Sequence, residues 1–210
     1  MVIRLYENPG WGSAIVEVQL AFYGLAYEMV TVGDLYDDPA ARAALAPVNP
    51  LMQVPTLVMA DGQVMTESAA ITLLLADLTG SEALVPGAAA KERAAFLRWL
   101  IFIVAAIYPG FAYADVPERL VPAAEAEAFQ GRVIDHRKAM WRLMEAEAVL
   151  RGGRFFLDQR MTAIDLYLGC MVHWRPREDW FRTEAPTLWR AAAAVWALPA
   201  VAEAYRRNFD

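Results

Sequence analysis

The chain is poor in cysteine: among 210 residues there is one, Cys170. An internal disulfide and a Cys-x-x-Cys redox pair are therefore excluded, which sets the chain apart from dithiol redox proteins. Histidine is almost as scarce. His136 and His173 have no ligand spacing to each other, so no metal site is expected. Basic charge is in deficit as well, with 19 Lys and Arg against 25 Asp and Glu and a net charge of -6. No long basic run offsets this, which argues against nucleic acid and against an anionic membrane as partners. Long apolar runs are also missing. The stretch 99–107 is preceded by Arg98 and followed by Pro109-Gly110, well short of the roughly 20 residues a membrane span requires, so it reads as a buried core helix. Met1 leads directly into Val2-Ile3-Arg4-Leu5-Tyr6 with no basic segment before an apolar one, so no signal peptide is expected. A soluble cytoplasmic protein is the expectation. No internal repeat or low-complexity tract is visible.

What the chain has in quantity is apolar side chains, 58% of the total, enough for a substantial core. Their spacing gives a strand over 2–6, a helix over 13–24 with Ile15, Val18 and Phe22 on one face, a strand over 27–32 and a helix over 39–45. A hairpin follows, with strands over 54–59 and 63–65 around the turn pair Asp61-Gly62, and then a helix over 68–78. This is a mixed α/β unit over 1–78. Composition shifts to Gly80, Ser81, Pro86 and Gly87 in a linker over 79–89. The remainder, 90–210, reads as all-helical, with helices over 88–107, 123–148, 162–172, 187–197 and 199–207. At Met161-Thr162-Ala163-Ile164-Asp165-Leu166 a Thr stands three residues before an acid, which predicts a capping box at the start of a core helix.

The most specific local feature is Met52-Gln53-Val54-Pro55-Thr56-Leu57, followed across the hairpin by Thr66-Glu67-Ser68. A proline inside a run that otherwise favours a strand leaves a backbone segment unpaired and able to receive a peptide-like ligand. Glu67 and Ser68 stand where the next helix starts, where an acid and a hydroxyl either cap the helix or meet a ligand. Together these residues resemble the glutathione site of the cytosolic glutathione S-transferase family, in particular its bacterial members of serine type, or of beta type without the cysteine. The resemblance covers essentially the whole chain. It implies a thioredoxin-like α/β N-terminal domain followed by an all-α C-terminal helical domain, with glutathione as co-substrate. It assigns Val54 and Pro55 to the cysteinyl part of glutathione, Glu67 and Ser68 to the γ-glutamyl end and Gln53 to the glycyl carboxylate. It also implies a cis peptide before Pro55, which the dipeptide alone does not give, since only about one X-Pro bond in twenty is cis.

A thiol of pKa near 8.5 is only a few per cent ionised at neutral pH, and lowering that value by about two units takes roughly 2.7 kcal/mol. One hydroxyl beside a helix N-terminus suffices, since a hydrogen bond to a charged group is worth about 1.5–3 kcal/mol. The candidates after the first strand are Ser13, Tyr6 and free backbone N–H groups, with Asn8 as a further polar side chain. The loop Pro9-Gly10-Trp11-Gly12-Ser13 is similar to the bacterial Pro-Gly-x-Cys-Ser pattern, but Gly12 replaces its cysteine. Thiol exchange through a protein cysteine therefore has no residue to use. Trp11 with Tyr108, Phe111 and Tyr113 is the expected pocket for a small hydrophobic electrophile. The family implies a homodimer and a thiol-transfer enzyme of detoxification type. The alternatives are a glutathione-dependent isomerase, dehalogenase or disulfide or peroxide reductase, and a non-catalytic glutathione-binding protein of the same fold.

Overall fold

The computed structural model describes residues 2–210. Four strands form one mixed sheet: β1 (Ile3–Glu7), β2 (Tyr27–Thr31), β3 (Thr56–Val58) and β4 (Val64–Met65), in the order β2-β1-β3-β4. β1 and β2 are parallel, with Leu5 opposite Met29, while β3 runs antiparallel to both β1 and β4. A parallel pair needs a crossover, and α1 (Ser13–Tyr23) supplies it, ending at Gly24, whose φ of 65° closes the helix in the left-handed region. α2 (Pro39–Leu45) starts at Asp38, whose carboxylate accepts the Ala40 N–H at 2.8 Å. α3 (Ser68–Thr79) follows the hairpin.

Strand alternation sorts β1 onto two cores. Leu5 packs with Val16 and Leu20 of α1, Leu57 of β3, and Ile71 and Leu75 of α3. Tyr6 points to the opposite face and joins a second cluster around Leu35, Ala41 and Leu45, with Trp11 and Val54. Each fully buried Leu or Ile in the first cluster contributes about 1.5–3 kcal/mol. The expected strand over 54–59 contracts to Thr56–Val58, since Pro55 has no N–H to give to a ladder.

The chain forms two compact units: one runs to Val85 and takes in Val195–Asp210, and the other is Pro86–Ala194. In the second, α4 (Arg93–Phe102), a π-helical turn (Ile103–Ile107) and α5 (Pro109–Asp115) follow one another without a break. This corrects the expected stop at Pro109-Gly110. A proline cannot donate to the carbonyl four residues back and its ring crowds it, but the widened turn, in which Tyr108 N–H donates to Ile103 O at 2.9 Å, lets the helix pass. The resulting 23-residue helix is long and apolar enough, by length and composition, to cross a membrane. It buries Phe96, Trp99, Leu100, Ile103, Ile107, Phe111 and Ala114 as one stripe, which is the pattern of a core helix.

Beyond it lie α6 (Ala126–Arg151), α7 (Ala163–Met171), α8 (Glu178–Glu184) and α9 (Pro186–Trp196), and in the first unit α10 (Pro199–Phe209). α8 was not expected from the sequence. It has only seven residues and, of these, buries only Phe181, too little for a periodic signal. The predicted capping box of α7 forms: Asp165 accepts the Thr162 N–H at 2.8 Å, and its other oxygen accepts the Phe156 N–H at 2.8 Å. Asp165 is fully buried, and desolvation lifts its carboxyl from 3.8 to about 6 against the lowering effect of these hydrogen bonds.

Candidate functional site

Strand register brings the candidate segments of the first unit to one end of the sheet. Tyr6 lies opposite Thr56, so the loop that leaves β1 emerges beside the residues that enter β3. Leu57 lies opposite Met65 in an antiparallel pair, so Pro55, just before β3, and Glu67, just after β4, lie at the same end of the sheet. The loop 8–13, Val54-Pro55 and Glu67-Ser68 thus share one edge, although up to sixty residues separate them.

The Val54-Pro55 peptide is cis. Val54 is half-buried, and among the described residues its N–H and C=O enter no hydrogen bond, so its main chain is available to pair with an extended ligand. Gln53 is exposed, and its carbonyl accepts from Thr56 Oγ1 at 2.7 Å and from Asn49 Nδ2 at 3.1 Å. Asn49 Nδ2 also reaches Thr56 Oγ1 at 2.9 Å, and its Oδ1 accepts the Leu51 N–H at 3.0 Å. Both side chains are buried and hold the bend around Pro55 from beneath. Neither residue is among the candidates that the sequence singles out. Asn49-Pro50 is a turn signal that could have marked the first, while the role of Thr56 depends on a tertiary contact.

Glu67 has φ 63° and ψ 102°, a left-handed conformation rarely held by a residue with a Cβ, and makes no capping bond to α3. Its carbonyl accepts the Ile71 N–H at 3.0 Å, and its side chain is exposed. Such strain costs on the order of 1–3 kcal/mol and gathers at binding sites. Ser68 follows at the first position of α3 and is 8% exposed.

Across the edge, Ser13 is fully buried. Its hydroxyl donates to Asn8 O at 3.1 Å and accepts the Asn8 N–H at 3.1 Å, so the main chain of one residue occupies it in both directions. Ala14 and Ile15 N–H are taken by Trp11 O and Gly12 O. The Gly12 and Ser13 N–H groups are left without a partner among the described residues, at the positive end of α1. Tyr6 is half-buried in the cluster that includes Trp11 and Val54. Trp11 stacks on Tyr36, with ring centres 4.7 Å apart.

The other expected pocket residues belong to the second unit. Tyr108 and Phe111 both pack edge-on against Trp174, at 5.7 and 5.0 Å, and the Arg137 guanidinium lies 3.8 Å over the Phe111 ring. Tyr113 stands apart from this cluster and is 46% exposed. Among the described residues, no group of His, Cys, Asp and Glu could hold a metal ion.

Residues 13–78 match the family model for the glutathione S-transferase N-terminal domain. The chain is 36% identical over 207 residues to the uncharacterized GST-like protein YncG of Escherichia coli (strain K12), covering 99% of this chain and 98% of that protein. Among solved structures, a glutathione transferase from Methylococcus capsulatus superposes with a TM-score of 0.79 at 27% identity, over 98% of each chain. A glutathione transferase homologue from Sulfitobacter, solved with bound glutathione, superposes with a TM-score of 0.86 at 20% identity, over 100% of this chain and 99% of its own.

Proposed function

The chain belongs to the glutathione S-transferase family, and from that premise we propose that it binds glutathione along the Val54-Pro55 edge and activates the glutathione thiol for attack on a small hydrophobic electrophile. One observation carries the reading. The Val54-Pro55 segment, with the main chain of Val54 unpaired among the described residues, lies at the same end of the sheet as a strained, exposed Glu67 at a helix start. Val54 pairs with the cysteinyl main chain, Glu67 and Ser68 receive the γ-glutamyl ammonium and carboxylate, and Gln53 meets the glycyl carboxylate.

The thiol then faces the loop after β1. The Ser13 hydroxyl is already engaged by Asn8, so the N–H groups of Gly12 and Ser13 at the α1 N-terminus are the thiolate's partners in this proposal, and Ser13 Oγ holds the loop that presents them. The thiolate sulfur attacks the electrophilic carbon and the leaving group departs with the bonding pair. The proton lost by the thiol passes to solvent. Within the first unit, Trp11, which stacks on Tyr36 beside the thiol-facing loop, is the proposed electrophile contact. A cytoplasmic homodimer is the assembly that the family suggests.

Calorimetric titration with glutathione, followed by an electrophile screen, tests the proposal: saturable heat and turnover support it, and no heat of binding sinks it. Ser13→Ala and Tyr6→Phe are each expected to move the bound thiol's pKa by less than about one unit, because neither hydroxyl is its main partner. A larger rise in either variant returns the role to that hydroxyl. A second reading, a glutathione binder without chemistry, is favoured only by the occupied Ser13 hydroxyl. It predicts binding with an unshifted thiol.

A further inference from the structure

The loop that carries Gly12 and Ser13 is held by a side chain from the far end of the chain. Gly10 N–H donates to Asn208 Oδ1 at 3.0 Å, across 198 positions of sequence. Asn208 lies in the last turn of α10, which packs on α1. Its Nδ2 donates to Glu17 Oε2 of α1 at 2.8 Å and to Ala204 O at 2.7 Å. Glu17 is fully buried between apolar neighbours in α1, and Arg207 forms an ion pair with its other oxygen.

This set is chemically determined. A carboxylate only accepts, so Glu17 forces the nitrogen of the Asn208 amide toward itself and leaves Oδ1 facing Gly10. Arg207 in turn compensates a carboxylate that would otherwise be buried alone, which is strongly unfavourable. Gly10 has φ +75°, which favours glycine, and a Cβ there would lie 3.1 Å from the Asn208 carbonyl, so the loop and the last turn of α10 meet closely. An apolar contact would fasten α10 to α1 as well. A directed bond to one N–H, two residues before Gly12, does something more specific, since it sets where the loop sits.

We infer that Asn208, oriented by Glu17 and Arg207, is a positioning residue for the thiol-facing loop. It acts through Gly10 and touches no substrate. The inference deepens the proposed function and rests on it for its consequence in catalysis, while its effect on the loop is measurable without glutathione.

The test is a polarity swap. Asn208→Ala should speed amide hydrogen exchange in residues 8–13 and lower kcat by about tenfold or more, since small displacements of reacting groups cost that much. The KM for glutathione should stay within about twofold, because Val54, Glu67 and Ser68 are untouched. Asn208→Asp should do worse, placing a second carboxylate against Glu17. Adding Glu17→Gln to Asn208→Asp restores one donor and a single charge to the pair, although Ala204 O still lacks the donor that Asn208 gave it, so part of kcat and of the slow exchange should return. Unchanged loop exchange in Asn208→Ala, unchanged kcat in that variant, or a double variant no better than Asn208→Asp would each overturn the inference. If the wild-type protein binds no glutathione, the proposed function falls, and exchange in the loop still decides whether Asn208 positions it.

Discussion

Glu67→Gly is expected to weaken glutathione binding by one to two orders of magnitude and to raise the unfolding temperature. The two effects have separate causes. Glu67 has a positive φ of 63° and its side chain makes no capping bond, so the bond its carbonyl makes to α3 does not depend on the side chain. Glycine adopts that region freely, and relief of the strain is worth about 1 kcal/mol after subtracting the greater freedom of glycine in the unfolded chain. For a chain of this length that corresponds to roughly 2–4 °C. On the binding side, a hydrogen bond to a charged group contributes about 1.5–3 kcal/mol, or a factor of about 10 to 150 in affinity. Calorimetry and thermal melts on one preparation read both. Unchanged affinity would remove Glu67 from the site, and a lower melting temperature would mean that contacts of its side chain maintain the strained backbone.

Asp165→Ala should cost about 3–5 kcal/mol of stability, because it leaves the buried Phe156 and Thr162 N–H groups without acceptors and removes the carboxylate of the capping box. The wild-type residue also imposes a pH dependence. Burial raises its carboxyl from 3.8 to about 6, so between those values the folded protein binds more protons than the unfolded one. Stability therefore falls as pH rises through that window, by about 3 kcal/mol in all from this group. Urea denaturation from pH 4 to pH 7 should show the wild type losing about 2 kcal/mol of it relative to Asp165→Asn, which has no proton to release. Parallel curves for the two proteins would contradict the assignment.

What the sequence made legible was local. The hairpin turn at Asp61-Gly62, the capping box at Thr162 and Asp165, and α2 over Pro39–Leu45 are each written in neighbouring residues, and each is where it was expected. The helix passes through Pro109-Gly110, where the sequence predicts an end, because a proline signals a break only where no π turn absorbs its missing N–H. Ser13 was correctly placed at the start of α1, yet the engagement of its hydroxyl by Asn8 could not be seen, since residue type and position do not say which acceptor is nearer. The clasp from Asn208 to Gly10 was beyond reach altogether. It joins residues at opposite ends of the sequence, and nothing in either segment's periodicity points to the other.

The central claim is that the edge formed by Val54-Pro55, Glu67-Ser68 and the α1 N-terminus holds glutathione and ionises its thiol. Thiolate absorbance of protein-bound glutathione, followed against pH, tests it most directly. The account predicts an apparent pKa about two units below that of an ordinary thiol near 8.5. Bound glutathione that titrates as it does free in water would contradict it.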